Sequence, residues 1–266
     1  MWSATLGLAC LMSLAPNQGE KLSFEKIRQL YGVPGLPRES TVFVPGDIFS
    51  LAYDIRGVNA DDEGKVNYSI TTEVMFDGKL EFKQESKSLE SFDSLGGGVL
   101  PGFTQLNVGL EQPAGKYTVK VTARDKKSNA SASFTRDFSV VKRGFNIVQV
   151  HTTADREGRV PTAIFATGES LWMNLALVDF ERNSSTKQPN IRISLEILDS
   201  NGKPTVKKGP VALINKDVPA EVSFLPFQFH VALNTPGKFT LQVKAVEQGN
   251  GKTASLSLPF EVFHAK

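Results

Sequence analysis

The feature that most constrains this chain is an internal repeat at constant offset. Pro113-Ala114-Gly115-Lys116-Tyr117-Thr118-Val119-Lys120-Val121 is matched by Thr235-Pro236-Gly237-Lys238-Phe239-Thr240-Leu241-Gln242-Val243, with the Gly-Lys pairs 122 positions apart. Phe43-Val44-Pro45-Gly46-Asp47 matches Phe165-Ala166-Thr167-Gly168-Glu169 at the same offset, and Phe138 matches Phe260. One offset that returns at the start, near the end and at the end means a duplicated unit with small insertions and deletions between. The boundary falls at Val141-Lys142-Arg143-Gly144. It divides the chain into units 21–143 and 144–266, behind a segment 1–20, and each unit has an ordinary domain size.

Within each unit the apolar residues recur with period two. Tyr117, Val119, Val121 and Ala123 alternate with polar neighbours, as do Phe239, Leu241, Val243 and Ala245. The same holds for Phe49, Leu51, Tyr53 and Ile55 and for their partners Leu171, Met173, Leu175 and Leu177. Tyr68, Ile70, Thr72 and Val74, and Ile191, Ile193, Leu195 and Ile197, continue the pattern. A strand turns successive side chains to opposite faces, so each run is apolar on one side and wet on the other. Asp77-Gly78 and Asn201-Gly202 read as type I′ hairpin turns at equivalent places. No window shows a convincing amphipathic helix, and Phe24 to Tyr31 is the nearest candidate. Half-buried antiparallel strands, seven or so per unit, hide their apolar faces by stacking two sheets.

A Pro-Gly-(Lys)-aromatic-x-apolar-x-apolar strand, a polar turn and a last strand ending Phe-x-Val resemble the bacterial immunoglobulin-like or fibronectin-III-like domains of secreted proteins. The resemblance covers nearly all of both units and implies an all-β fold of two tandem immunoglobulin-like antiparallel β-sandwiches. It marks a fold rather than an activity. Tyr117 then takes the place of a tyrosine corner, whose hydroxyl bonds back to the backbone, whereas its counterpart Phe239 has no hydroxyl. The link of about four residues spans at most roughly 13 Å, so the sandwiches are expected end to end with little hinge freedom.

Composition narrows function more by exclusion than by assignment. Thirty Lys and Arg against 28 Asp and Glu leave a net charge of +2, which offers no electrostatic footprint for nucleic acid. One cysteine, Cys10, forbids an intrachain disulfide, and three histidines leave little for a transition-metal site. Trp2 to Ala15 is apolar and uncharged, too short to span a bilayer and of the length of a secretory signal core, although no Lys or Arg precedes it and Pro16 follows. The expectation is therefore export, to the outside or to the periplasm and cell envelope, with no membrane span. Gly7-Leu8-Ala9-Cys10 resembles a lipoprotein signal, which makes Cys10 the candidate for a lipid anchor.

Few residues stand out as chemistry. His151, His230 and His264 have no second ligand at zinc spacing, and His230 falls on the wet face of its strand. Gly96-Gly97-Gly98 lacks the ending of a phosphate loop and reads as a flexible connection. Asp61, Asp62 and Glu63 put three carboxylates in one loop and are weak calcium candidates, without the alternating ligand spacing of a calcium loop. Trp172 points opposite to Leu171 and Met173, which makes it the candidate contact residue, set against packing beneath a loop or the neighbouring domain. Arg136 holds the phase that Leu258 occupies in the other unit, as an edge position would allow. No catalytic residue and no cofactor are expected. The function that follows is a non-enzymatic secreted or envelope protein, a structural or protein-interaction module with a protein or envelope component as partner. The alternative is a carbohydrate-binding module that meets a glycan through Trp172 or the inter-domain loops.

Overall fold

The computed structural model describes residues 21–265, so Cys10 and the signal-like segment 1–20 lie outside the described residues. Every regular element among them is a strand. The first repeat supplies β1 (Ser23–Tyr31), β2 (Leu36–Pro37), β3 (Val42–Phe43), β4 (Ile48–Arg56), β5 (Lys65–Phe76), β6 (Lys79–Phe92), β7 (Val99–Asn107), β8 (Gly115–Asp125) and β9 (Ser131–Val140). The second supplies β10 (Asn146–Thr153), β11 (Phe165–Ala166), β12 (Ser170–Val178), β13 (Ile191–Leu198), β14 (Val211–Ile214), β15 (Leu225–Ala232), β16 (Gly237–Glu247) and β17 (Thr253–Phe263). The fold is all-β.

The duplication read in the sequence reappears as duplicated topology. One sheet of the first repeat runs β2-β1-β4-β7 and its equivalent in the second runs β10-β12-β15. The facing sheets run β3-β9-β8-β5-β6 and β11-β17-β16-β13-β14. The ladders are antiparallel except β3 with β9 and β11 with β17, which are parallel, a departure from the uniformly antiparallel expectation. These two-residue strands run alongside the last strand of their unit in its own direction.

Period-two alternation builds each core. Phe49, Leu51, Tyr53 and Ile55 of β4 face Tyr117, Val119, Val121 and Ala123 of β8, all buried. Phe43, Phe49 and Phe138 close one end, with ring centroids 4.7 to 5.5 Å apart. In the second core Leu171, Met173, Leu175 and Leu177 face Leu241, Val243 and Ala245. Burying each such side chain contributes roughly 1.5–3 kcal/mol. Leu36 of β2 packs into this second core with Tyr31 beside it, so the first repeat lends side chains to its neighbour.

One local expectation needs correction, and the nearest helix candidate is explained. Phe24 to Tyr31 is strand: Lys26 takes a φ of +46° and the β1–β4 register shifts between Glu25 and Arg28. The bulge inserts a residue, so Phe24 and Ile27, three apart, both pack on the core and imitate a helical stripe. Asp77-Gly78 is a two-residue hairpin with both φ positive, but at Asn201-Gly202 only the glycine is left-handed. There Asp199 accepts from the backbone N–H groups of Asn201 and Lys203 and stabilises a wider turn.

The short link leaves the repeats in contact. Val148, Ala176 and Val178 are buried against Val44 and Leu110 of the first repeat and Phe224 of the second. Gln149 donates to the carbonyl of Gly46 at 3.3 Å. Arg143, in the link, donates to Asp179 at 3.0 Å and also pairs with Glu111, so one guanidinium ties a carboxylate of each repeat.

Candidate interaction surface

Because Leu171, Met173, Leu175 and Leu177 point into the core, Ser170, Trp172, Asn174, Ala176 and Val178 share the opposite face of β12. Register places Trp172 beside His230 of β15 and Asn174 beside Gln228. The Trp172 and His230 rings lie 4.4 Å apart with an interplanar angle of 32°. Nε2 of His230 is 3.0 Å from the Ser170 hydroxyl. Asn174 donates to the Thr153 hydroxyl at 3.1 Å, and Gln228 donates to Asn174 and to the carbonyl of Arg156, both at 2.8 Å. That last bond holds the loop after β10 against the sheet, where Asp155 caps its turn through the N–H groups of Arg159 and Val160.

One sheet face is thus divided. Its Val148–Ala176–Val178 end is spent on the contact between repeats, and its Trp172–His230–Ser170 end remains outside the core. Trp172 stands on the outer face, half-buried by the stacked imidazole, while His230 is exposed. A flat indole edged by a hydroxyl, an imidazole and amides offers stacking area and hydrogen bonds together.

The first repeat is open elsewhere. Among the described residues β6 is bonded only to β5 and β7 only to β4, and these strands end their respective sheets. Between them lie openings of about 490 and 350 Å³ lined by Phe82, Gln84, Leu89, Phe103, Gln105 and Leu106. Phe103 is 61% exposed, and Tyr68 and Ile70 beneath are only partly covered. The counterpart of β6 in the second repeat, β14, has four residues in place of fourteen.

The calcium candidates do not converge. Asp61 accepts from the backbone N–H groups of Glu63 and Lys65 at 3.0 and 2.8 Å and closes its own turn, while Asp62 and Glu63 lie exposed. Among the described residues no three His, Cys, Asp or Glu side chains form a metal-binding group. His151 is half-buried with Nδ1 3.0 Å from the Gln149 carbonyl, and His264 is exposed. Arg136 is exposed and reaches the carbonyl of Ile27 at the β1 bulge.

Sequence reasoning missed the buried charges. Arg38 and Asp47 form a buried pair at 2.8 Å, with the guanidinium 3.8 Å over the Phe43 ring. Asp125, fully buried, accepts from the Asn59 backbone and side chain, the Ser128 hydroxyl and the Lys127 N–H. Burial opposes its ionisation, but the hydrogen bonds from Asn59, Ser128 and Lys127 outweigh burial and hold its carboxyl below the ordinary aspartate value. Glu247, also buried, accepts from the Glu181 N–H and the Asn250 amide. Their signal was available: both acids continue the inward phase of β8 and β16, where a charge needs partners.

No protein-family model matches this sequence, and no curated protein matches it. Among solved structures, the C-terminal domain of the AgI/II polypeptide BspA of Streptococcus agalactiae aligns over 88% of this chain and 99% of its own, at 10% identity and a TM-score of 0.31. A second structure, BspA_C_WT, aligns over the same shares at 10% identity and a TM-score of 0.30. Among the described residues no helix is long and apolar enough to cross a membrane.

Proposed function

We propose that this is a non-enzymatic exported protein, a structural and protein-interaction module of two immunoglobulin-like sandwiches covering residues 21–143 and 144–266. The bond from the Tyr117 hydroxyl to the Pro113 carbonyl at 2.8 Å, as in a tyrosine corner, supports the immunoglobulin-like reading. The observation that carries the interaction role is the unpaired edge of β6 beside its apolar openings. An extended strand from a partner protein adds to such an edge through main-chain bonds, and alternate side chains enter the openings. The buried charges are consistent with this reading, since each is committed to holding a loop or turn.

Capture from the host's envelope fraction with the wild-type chain and with Glu85→Pro tests this. Glu85 lies opposite Thr71, whose backbone bonds to β8, so the Glu85 N–H faces the open side. Proline there removes a donor from the edge, so loss of the same captured protein supports the reading and its full retention overturns it. The second reading, a carbohydrate-binding module, rests on the half-buried Trp172 stacked on His230. A glycan array on which specific binding disappears with Trp172→Ala favours it over the first.

A further inference from the structure

The outer face of the five-stranded sheet in the second repeat carries a cleft of about 650 Å³. Its floor is set by alternation. Ile191, Ile193 and Leu195 of β13 point inward, leaving Arg192, Ser194 and Glu196 outside. Across the ladders Ser194 pairs with Lys244 and Lys244 with Ser255, while Glu196 pairs with Gln242 and Gln242 with Ser257. The floor is therefore a lattice of hydroxyls and an amide with a cation at its centre.

The wall comes from the segment before β14, which contributes Lys207 and Lys208. This segment runs alongside β13 at the edge of the sheet. Leu195 donates its N–H to the carbonyl of Pro210 at 3.1 Å, and a Cβ on Gly209 would stand 2.0 Å from the Leu195 carbonyl oxygen. Only glycine permits that approach, and the approach is what holds the segment carrying the two lysines against the edge of the floor. Among the described residues none of Arg192, Lys207, Lys208 and Lys244 has a carboxylate within 4.0 Å. The equivalent face of the first repeat is neutralised instead: Glu73 pairs with Lys83 at 3.1 Å and with Lys120 at 3.9 Å. The same sheet position carries paired cations in one repeat and unpaired cations in the other.

We propose that this cleft binds a polyanionic polysaccharide, with Arg192, Lys207, Lys208 and Lys244 meeting its sulfates or carboxylates and the serines and Gln242 meeting its hydroxyls. Four cations around one lone acid, Glu196, select for negative charge. The lining has no aromatic ring on which a nucleobase would stack, and the chain's net charge of +2 provides no wider basic field, so the chemistry favours a sugar polymer over nucleic acid.

Heparin and polygalacturonate, as sulfated and carboxylated probes, separate the two anion sources when titrated against the full chain, with neutral dextran and a DNA duplex alongside. Binding of at least one polyanionic sugar is expected, with none to dextran. If all four cations engage, affinity falls roughly a hundredfold between 50 and 200 mM salt by counterion release. Lys207→Gln with Lys208→Gln should weaken binding at least tenfold without moving the thermal midpoint, whereas Lys83→Gln and Trp172→Ala leave it unchanged. The last control keeps this site distinct from the Trp172 reading, and Glu85→Pro keeps it distinct from the β6 edge. Equal binding by the double variant, failure of both polysaccharides, or tighter binding of the duplex through the same lysines overturns the proposal.

Discussion

Asp125 and Glu247, 122 positions apart, do the same work in the two repeats. Each closes the penultimate strand of its sandwich as a buried acid, and each accepts the backbone N–H of the third residue of the loop after β4 or β12, Asn59 or Glu181. Each also accepts from the turn that follows its strand, Ser128 or Asn250. The donors are themselves 122 apart. One carboxylate thus fastens a loop of one sheet to a turn of the other, across the end of the core.

Removing the Asp125 carboxylate strands several buried donors at once. Asp125→Ala is expected to cost about 2–4 kcal/mol, measured by urea unfolding, because the Asn59 amide and two backbone N–H groups lose their acceptor. Asp125→Asn, which keeps an acceptor oxygen, should cost less. Equal losses in the two variants would place the effect in packing rather than in the carboxylate.

The same group links stability to pH. Its folded pKa lies below the unfolded value near 3.8, so its contribution is complete above that value and is lost as pH falls through the folded value. The wild-type chain should therefore lose stability more steeply than Asp125→Asn below about pH 4, and the two curves should run parallel above about pH 5. Thermal midpoints across pH 2–7 decide this, and curves parallel throughout would contradict it.

Tyr117 tests the corner. Its hydroxyl donates to the Pro113 carbonyl and accepts from Gln112 at 2.9 Å, while the ring stacks between Phe76 and Phe138. Tyr117→Phe retains the stacking and removes two hydrogen bonds, with an expected cost of about 1–2 kcal/mol in chemical denaturation. The second repeat has Phe239 here, half-buried and without that bond, and manages with its larger aliphatic core.

What was legible follows from range. Strand phase, the duplicated unit and the outward side of Trp172 are local or periodic, so alternation and offset exposed them. The β1 bulge at Lys26 was not legible, because one inserted residue converts period two into an apparent helical spacing between Phe24 and Ile27. The neighbours of Trp172 were not legible either: His230 and Gln228 arrive from β15 through register alone. Asp125 and Glu247 were visible in phase, but reading them required asking what a charge does on an inward face. The unpaired edge of β6 and the reach of Leu36 into the second core are tertiary facts with no local sign.

The contact between repeats yields the remaining test, at Gly46. Its φ of +95° lies where a side chain is strained, and an added Cβ would meet Phe224 at 3.0 Å, Leu110 at 3.2 Å and Val178 at 3.3 Å. Two of these neighbours belong to the second repeat and one to the first, so the glycine sits where the repeats press together, with its carbonyl held by Gln149. Gly46→Ala must relieve both strain and crowding by moving the repeats apart. The expected cost is about 1–3 kcal/mol. Backbone amides of Val148 and Val178 should then exchange faster with solvent deuterium, while those of Val119 and Val243, inside the separate cores, keep their protection. Faster exchange in all four would mean that the substitution unfolds a sandwich rather than opening the junction. Unchanged exchange at Val148 and Val178 would mean that this contact does not hold the repeats together.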